Sequence, residues 1–455
     1  MVFRVLKIAR VVISLIVFLL ITFVFIDFTA AFSSGIIRGI LYLEFVPSLV
    51  SFIGLAGMAA AGFLFVLLLS FLFGRLYCST LCPLGTLQDI LIWLRRRFSR
   101  KRIRYKKQRS FFYLSYALLF LAALFLLLGW ITPLLFLDPY SHYGRIAANL
   151  IRPVYLLLNN LGAVTLESLD IYTLYRVEPG VTHWFSVSFA TAIFILVTWL
   201  SLRYARLFCN SLCPVGTLLG LVSRVSVFRI SLDKSLCTSC GKCTAVCKAG
   251  CIDKDARKVD FSRCVVCFNC LTSCPDNGVV FNLRGTPPKA ALETYNPGRR
   301  EALSVFLAGG LVVAGTSLLA NPQGFGRRQH GRGQGRKPIP VNKEYPVSPP
   351  GSISHEHFNA SCTACHLCVS VCPTHVIKPS LLQYGLAGIM QPVMDYNASF
   401  CNFDCVACTE ICPTGALRPV SVEEKHTLQL GKVYFIKQNC VVFTDGTDCG
   451  ACSEH

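Results

Sequence analysis

Two runs of closely spaced cysteines constrain this chain more than any other feature. Cys237-x2-Cys240-x2-Cys243-x3-Cys247 is followed by Cys264-x2-Cys267-x2-Cys270-x3-Cys274-Pro275. Gaps this short bind metal far more readily than they form a disulfide network. They let three thiolates wrap one corner of a cubane cluster, while the fourth cysteine of each run reaches the neighbouring cluster. The crossed rule assigns Cys237, Cys240, Cys243 and Cys274 to one 4Fe–4S cluster, and Cys264, Cys267, Cys270 and Cys247 to the other. Two zinc sites would draw on separated pairs of ligands instead. Cys251 is surplus, and it is expected to pack as a small apolar residue beside the cluster.

The pattern recurs as Cys362-x2-Cys365-x2-Cys368-x3-Cys372-Pro373, then Cys401-x3-Cys405-x2-Cys408-x3-Cys412-Pro413. The same rule pairs Cys362, Cys365 and Cys368 with Cys412, and Cys401, Cys405 and Cys408 with Cys372, for four complete clusters in all. The longer gap after Cys401 is one a loop can absorb. A third group, Cys440, Cys449 and Cys452, is a further candidate metal set. The chain ends at His455, one residue before the spacing calls for another cysteine, so a truncated product is expected.

Lipid is the expected solvent for much of the remainder. The chain is 53% hydrophobic and 15% charged over 455 residues, which is unusual for a soluble protein of this size. Four stretches are long enough for a span of about 20 residues: Val11–Phe28, Leu49–Phe73, Phe111–Ile131 and Trp184–Leu202. A fifth, Ala302–Ala320, is shorter and weaker. The net charge of +20 could suit a nucleic-acid binder, but its largest block, Arg95 to Arg109, sits between two apolar spans. Such a block orients a membrane protein and stays cytoplasmic. The loops 29–48 and 132–183 are then exterior, and 203–300 is cytoplasmic. Asn321–Pro350, rich in Gly, Pro, Arg and Gln, reads as a linker.

An internal repeat accompanies the spans. Arg75-Leu76-Tyr77-Cys78-Ser79-Thr80-Leu81-Cys82-Pro83-Leu84-Gly85-Thr86-Leu87 matches Arg206-Leu207-Phe208-Cys209-Asn210-Ser211-Leu212-Cys213-Pro214-Val215-Gly216-Thr217-Leu218. The membrane part is expected to be two similar helix pairs. Four-residue spacing puts Cys78 with Cys82, and Cys209 with Cys213, on one face if the segment is helical; the prolines favour a helix start there. These four thiols could hold a metal or cluster, cycle as dithiols, or be buried structural pairs. In the exterior loop, Asp138 and His142, with His183 near the next span, could accept quinol protons; a turn in an aromatic interfacial belt is the plainer reading. Arg299-Arg300 before the fifth span resembles a twin-arginine export signal, which would carry a folded cluster module across the membrane.

The Cys-x3-Cys-Pro pair with a following ferredoxin resembles the NapH-type membrane quinol dehydrogenase subunits and the membrane part of the nitrous oxide reductase regulator. The twin arginine and later cysteine runs resemble NapG-type exported ferredoxins. The chain looks like the two fused, a 4Fe–4S binding protein. The expected fold is a membrane α-helical bundle of four to five transmembrane helices with two bacterial-ferredoxin-like α+β modules. Residues 1–230 would form the transmembrane domain, 231–285 a cytoplasmic two-cluster ferredoxin, 286–350 the fifth span and linker, and 351–455 an exterior ferredoxin module. The resemblance implies quinol oxidation in the cytoplasmic membrane. Electrons would pass through 4Fe–4S clusters to an exterior, periplasmic redox partner. The expected partners are lipid and the quinone pool, with no nucleic acid. The alternatives are a reductive assembly or maturation factor and a redox regulator for a periplasmic metalloenzyme.

Overall fold

The computed structural model describes residues 2–27, 29, 31–55, 61–99, 112–177, 183–233, 235–253, 255–284, 346–430 and 437–450. The twin arginine, the fifth span, most of the linker, Cys452 and His455 lie outside the described residues, as does the basic block beyond Ser99.

Helix α1 (Val2–Ile26) is apolar along almost its whole length and forms the axis of the bundle. It is followed by α2 (Ser34–Leu41), α3 (Phe45–Leu55), α4 (Gly62–Phe73), α5 (Tyr77–Thr80), α6 (Pro83–Phe98) and α7 (Phe112–Leu127). Then come α8 (Thr132–Leu135), α9 (Pro139–Ile146), a π-helical turn at Ala147–Ile151, α10 (Arg152–Glu167) and α11 (Trp184–Tyr204). A second π-helical turn, Phe208–Leu212, leads into α12 (Pro214–Ser223).

Only α1 and α11 are long and apolar enough, among the described residues, to cross a membrane; α2 and α3, bent by 106° at their junction, make a third span if the pair is one broken crossing. Two to three apolar helices able to span a membrane are thus present among the described residues, and the fifth expected span lies outside them. Leu49–Phe73 is divided between α3 and α4, with the first turn of α4 lying beside the start of α3: Phe63 N donates to Ser48 Oγ at 2.8 Å. At Gly62, a Cβ would come within 1.9 Å of the Tyr42 carbonyl, so only glycine permits this approach. Hydropathy reports compatibility with lipid, not continuity of helix, and it could not register the break. Helix α7 contributes 16 described residues, apolar almost throughout.

The repeat folds as a swapped pair. Helix α6 of the first copy packs on α11, the span that leads into the second copy; α12 of the second packs on α4, the span that leads into the first. Pro83 and Pro214 both open their helices, after Cys82 and Cys213 as N-caps. Proline suits this position because its missing N–H would have no helical partner.

The first cysteine module follows α12. Antiparallel strands β1 (Phe228–Leu232) and β4 (Val279–Leu283) pair from Phe228↔Leu283 to Leu232↔Val279 and enclose a hairpin, β2 (Ile252–Asp253) with β3 (Lys258–Val259), and two short helices, α13 (Lys242–Val246) and α14 (Asn269–Ser273). The second module has its own core around Phe358, Ile377, Met394 and Leu417, and strands Ile377–Pro379 and Pro392–Met394 pair in it.

The two modules dock at opposite ends of α1. Towards its N-terminus, Arg10 shares the Asp89 carboxylate with Lys248 of the first module, at 3.3 and 3.1 Å. Towards its C-terminus, Phe25 lies against Gly144, which in turn touches the Cys365 carbonyl of the second module. Fifteen residues of helix separate Arg10 from Phe25, about 22 Å along the axis. The repeat cysteines fall between these levels, since Arg10 Nη1 donates to the Ser79 carbonyl at 3.0 Å and Ser14 Oγ meets Thr86 Oγ1 at 2.9 Å.

Candidate iron–sulfur centres

The backbone of the cysteine loops explains how short gaps enclose a cluster. Ser239 and Gly241, Val266 and Phe268, and Ala364 and His366 all have positive φ, between 49° and 71°. Left-handed residues on both sides of a cysteine curl the loop so that successive N–H groups turn toward one centre, a nest suited to anionic sulfur. Non-glycine residues rarely adopt this conformation, and five of these six are not glycine. The fourth loop, with its extra residue after Cys401, lacks the pair: Val406 has φ −113°.

Cys237, Cys240, Cys243 and Cys274 line one cavity. Cys247, Cys264, Cys267 and Cys270 line a second, and Cys251 joins them there. Cys372, Cys401, Cys405 and Cys408 line a third. Cys362, Cys365, Cys368 and Cys412 lie within electrostatic reach of one another. Cys440 precedes the short helix Val441–Thr444 and Cys449 is exposed.

Cys251 does more than fill space. Its thiol is buried and lies 3.6 Å from the Cys247 sulfur. The contact between the two sulfurs holds the Cys247 thiol below its ordinary range and pushes Cys251 up, which makes Cys251 the proton-bearing partner. A hydrogen bond to a ligand sulfur favours the reduced, more negative state of a cluster. Cys251→Ala is therefore expected to lower one cluster's midpoint potential by about 20–60 mV, the one-electron equivalent of a net hydrogen bond. A redox titration followed by electron paramagnetic resonance checks this; an unchanged potential would leave Cys251 as packing alone.

Cys78, Cys82, Cys209 and Cys213 are all buried, at 3–4% exposure, and the structure brings them together at the seam of the repeat. They do not form two like faces of regular helix. Cys78 sits in α5 and Cys209 in a π-helical turn, and each partner is an N-cap. Two arginines brace the seam reciprocally. Arg206 Nη1 donates to the Cys78 carbonyl at 2.7 Å, and Arg75 Nη2 to the Cys209 carbonyl at 2.8 Å. Each guanidinium occupies the space over a glycine of the other copy: a Cβ at Gly85 would meet Arg206 at 2.8 Å, and one at Gly216 would meet Arg75 at 2.6 Å. Both arginines and both glycines stand in the repeat, so the signal was present. Their pairing across the two copies becomes visible only in three dimensions.

The two arginines differ in their charge balance. Arg206 Nη2 pairs with Asp89 at 2.8 Å. Burial pushes that carboxyl up, but Arg206, Lys248 and Arg10 together outweigh it and hold Asp89 well below the usual carboxylate range. Arg75 bonds to Asn210 Oδ1, the Ser262 carbonyl and the Cys209 carbonyl. Among the described residues no carboxylate forms a salt bridge with it.

The expected quinol-facing carboxylate is otherwise engaged. Asp138 is buried and N-caps α9, accepting from Tyr140 N at 3.2 Å, Ser141 N at 2.9 Å and Ser141 Oγ at 2.6 Å. All of α9 is buried rather than an exposed loop, and the His142 ring sits 6.0 Å from that of Phe208. His183 caps the start of α11. A buried carboxylate that sequence reading missed is Glu44, at the bend between α2 and α3, which accepts from Tyr77 Oη at 2.8 Å. A cavity of about 260 Å³ lies between α7, α12 and the first module, lined by Arg75, Ser115, Tyr116, Asn210, Thr217 and Arg224 among others.

These features define a ferredoxin-type iron–sulfur protein joined to apolar helices. The 4Fe-4S binding domain family matches residues 55–102 and 183–233, the two copies of the repeat, and the 4Fe-4S dicluster domain family matches 361–417 in the second module. The chain is 28% identical over 176 residues to the methylamine utilization ferredoxin-type protein MauN of Paracoccus denitrificans, covering 38% of this chain and 48% of that protein. It is 31% identical over 160 residues to the ferredoxin-type protein NapG of Escherichia coli K12, covering 34% of this chain and 61% of that protein. It is 26% identical over 231 residues to the ferredoxin-type protein NapH of the same strain, covering 49% and 67%. The chain thus spans about half the length of MauN and under two thirds of NapG. No solved structure matches it. The resemblance to both NapH-type and NapG-type proteins holds, and iron–sulfur electron transfer is the activity these domains and relatives support.

Proposed function

We propose that the chain oxidises a membrane quinol and conducts the electrons through 4Fe–4S clusters to an acceptor on the outer face of the cytoplasmic membrane. The observation that carries this reading is the docking of two cysteine modules at opposite ends of α1, with the repeat cysteines between them. Tunnelling falls off steeply with distance, so redox centres at several levels along one helix suit conduction along its axis. In this reading the first module, with the cavities of Cys237, Cys240, Cys243, Cys274 and of Cys264, Cys267, Cys270, Cys247, faces the cytoplasm. The second holds clusters on Cys362, Cys365, Cys368, Cys412 and on Cys401, Cys405, Cys408, Cys372, and faces outward. When bound, each cluster would supply one-electron chemistry; the thiolates would hold it, and in three of the four loops left-handed residues would direct N–H groups at its sulfurs.

The quinol headgroup fits the 260 Å³ cavity at α7 and α12. There Asn210 and Arg75 offer polar contacts, and the Arg75 guanidinium reaches the Cys209 carbonyl. Asp138, spent on its helix cap, takes no part. Menadiol added to anaerobically purified protein is expected to reduce the clusters, bleaching their visible absorption. Protein with intact clusters that dithionite reduces and menadiol does not would exclude quinol oxidation and favour a maturation or regulatory role.

A further inference from the structure

We propose that Cys78, Cys82, Cys209 and Cys213 hold an additional iron–sulfur cluster, seated between the two modules and balanced in charge by Arg75. The proposal deepens the electron-transfer reading and rests on it for its role, but the site is argued from its own chemistry.

Four neutral thiols, or two disulfides, would leave this region short of negative charge. Arg75 is 1% exposed and Arg206 is fully buried. Asp89 answers Arg206, but it also serves Arg10 and Lys248. A buried cation without a counter-ion is strongly unfavourable. Two helix N-termini add to the excess, since α6 (16 residues) and α12 (10 residues) both begin at cysteines of the set, and the positive end of each helix dipole faces these sulfurs. Gly216 N lies 3.3 Å from the Cys213 sulfur, as in a thiolate accepting a backbone hydrogen bond.

A second observation points to an occupant. Gln88 is fully buried, its Oε1 lies 3.5 Å from the Cys209 sulfur, and its Nε2 has no partner. An orphaned amide donor at this depth is costly; a sulfide of a cluster held by Cys209 is an acceptor for it. Four thiolates around a 4Fe–4S core carry a net negative charge, which meets Arg75, the helix ends and Gln88 together.

A single zinc ion with four thiolates would also be anionic. Yet no three His, Cys, Asp or Glu side chains among the described residues converge as a single-ion site. The repeat segments that contribute the four cysteines are the ones the 4Fe-4S binding domain family matches. The redox step is one electron in and one electron out, with no bond made or broken.

The test compares full-length protein, purified anaerobically, with Cys209→Ser and Arg75→Gln. Cys209→Ser is expected to lose one cluster's complement of iron and acid-labile sulfide, and one spin system on reduction, while the ferredoxin signals persist. Equal iron and sulfide in the two proteins would overturn the proposal, as would loss of stoichiometric zinc in place of iron. Arg75→Gln keeps all four thiols and is expected to retain the cluster with a more negative potential, because removing a cation disfavours the more anionic reduced state. An unchanged potential for every spin system would overturn the charge-balancing role, even if Cys209→Ser folds poorly. Neither measurement uses quinol, so failure of quinol oxidation and absence of this cluster are separable results.

Discussion

Asp89→Asn is expected to be the most destabilising single substitution at the junction between the bundle and the first module. One carboxylate at 9% exposure serves Arg10, Arg206 and Lys248, at 3.3, 2.8 and 3.1 Å. These cations come from α1, from the second repeat and from the cysteine module, so three separate parts of the chain meet on one group. Asparagine keeps the shape and removes the charge, leaving three cations crowded in a poorly solvated space. Breaking a buried pair by removing one partner costs about 3–5 kcal/mol. The expected outcome is a clear fall in unfolding temperature in detergent, together with easier proteolysis around Lys248. The same carboxylate, held well below its ordinary range, contributes stability that is present above about pH 4 and lost as pH falls through its folded value. A melting temperature within about 2 °C of wild type would show that Asp89 is not the keystone of this contact.

At the other end of α1, Gly144→Val is expected to unseat the second module. A Cβ at position 144 would lie 2.5 Å from the Cys365 carbonyl and 2.8 Å from the Phe25 ring. The carbonyl belongs to a cluster loop and cannot rotate away as a side chain would, so backbone must move. Overpacking of this kind costs about 1–3 kcal/mol, here against the docked arrangement rather than against either fold. Neighbouring contacts should loosen with it, including Arg145 Nε to the Ala364 carbonyl at 3.0 Å and Thr132 Oγ1 to the Ala387 carbonyl at 2.6 Å. Stopped-flow reduction by menadiol should then show the first module reduced at its normal rate and the second more slowly. Equal rates in variant and wild type would mean that this interface does not set the electron path.

Several features were legible in the residues. Closely spaced cysteines leave the backbone few ways to present three sulfurs to one centre, and three of the four sets drawn from spacing line a common cavity. Pro83 and Pro214 announced helix starts because a ring without an N–H belongs in a first turn. Trp184–Leu202 lies within α11, Trp184–Tyr204, because a long apolar run flanked by polar residues has few other solutions. Leu49–Phe73 holds both α3 and α4, and the approach of Gly62 to the Tyr42 carbonyl, a contact between segments, is not written in its hydropathy. The surroundings of Asp138 are a different case. Its carboxylate stands four residues before His142 in the sequence, and in the fold it accepts from backbone N–H groups at the start of its own helix.

Local sequence thus determined the cysteine loops, the helix starts after Cys82 and Cys213, the apolar character of α1 and α11, and the existence of a repeat. Each depends on the geometry of a few consecutive residues or on their transfer from water to an apolar medium. Tertiary structure alone decided that Arg75 and Arg206 each brace the other copy of the repeat, that Asp89 gathers three cations, that Glu44 meets Tyr77, and that the modules sit at opposite ends of one helix. Those outcomes rest on charges and carbonyls far apart in the chain. Burial makes their pairing energetically decisive, and no local pattern encodes which distant partner will arrive.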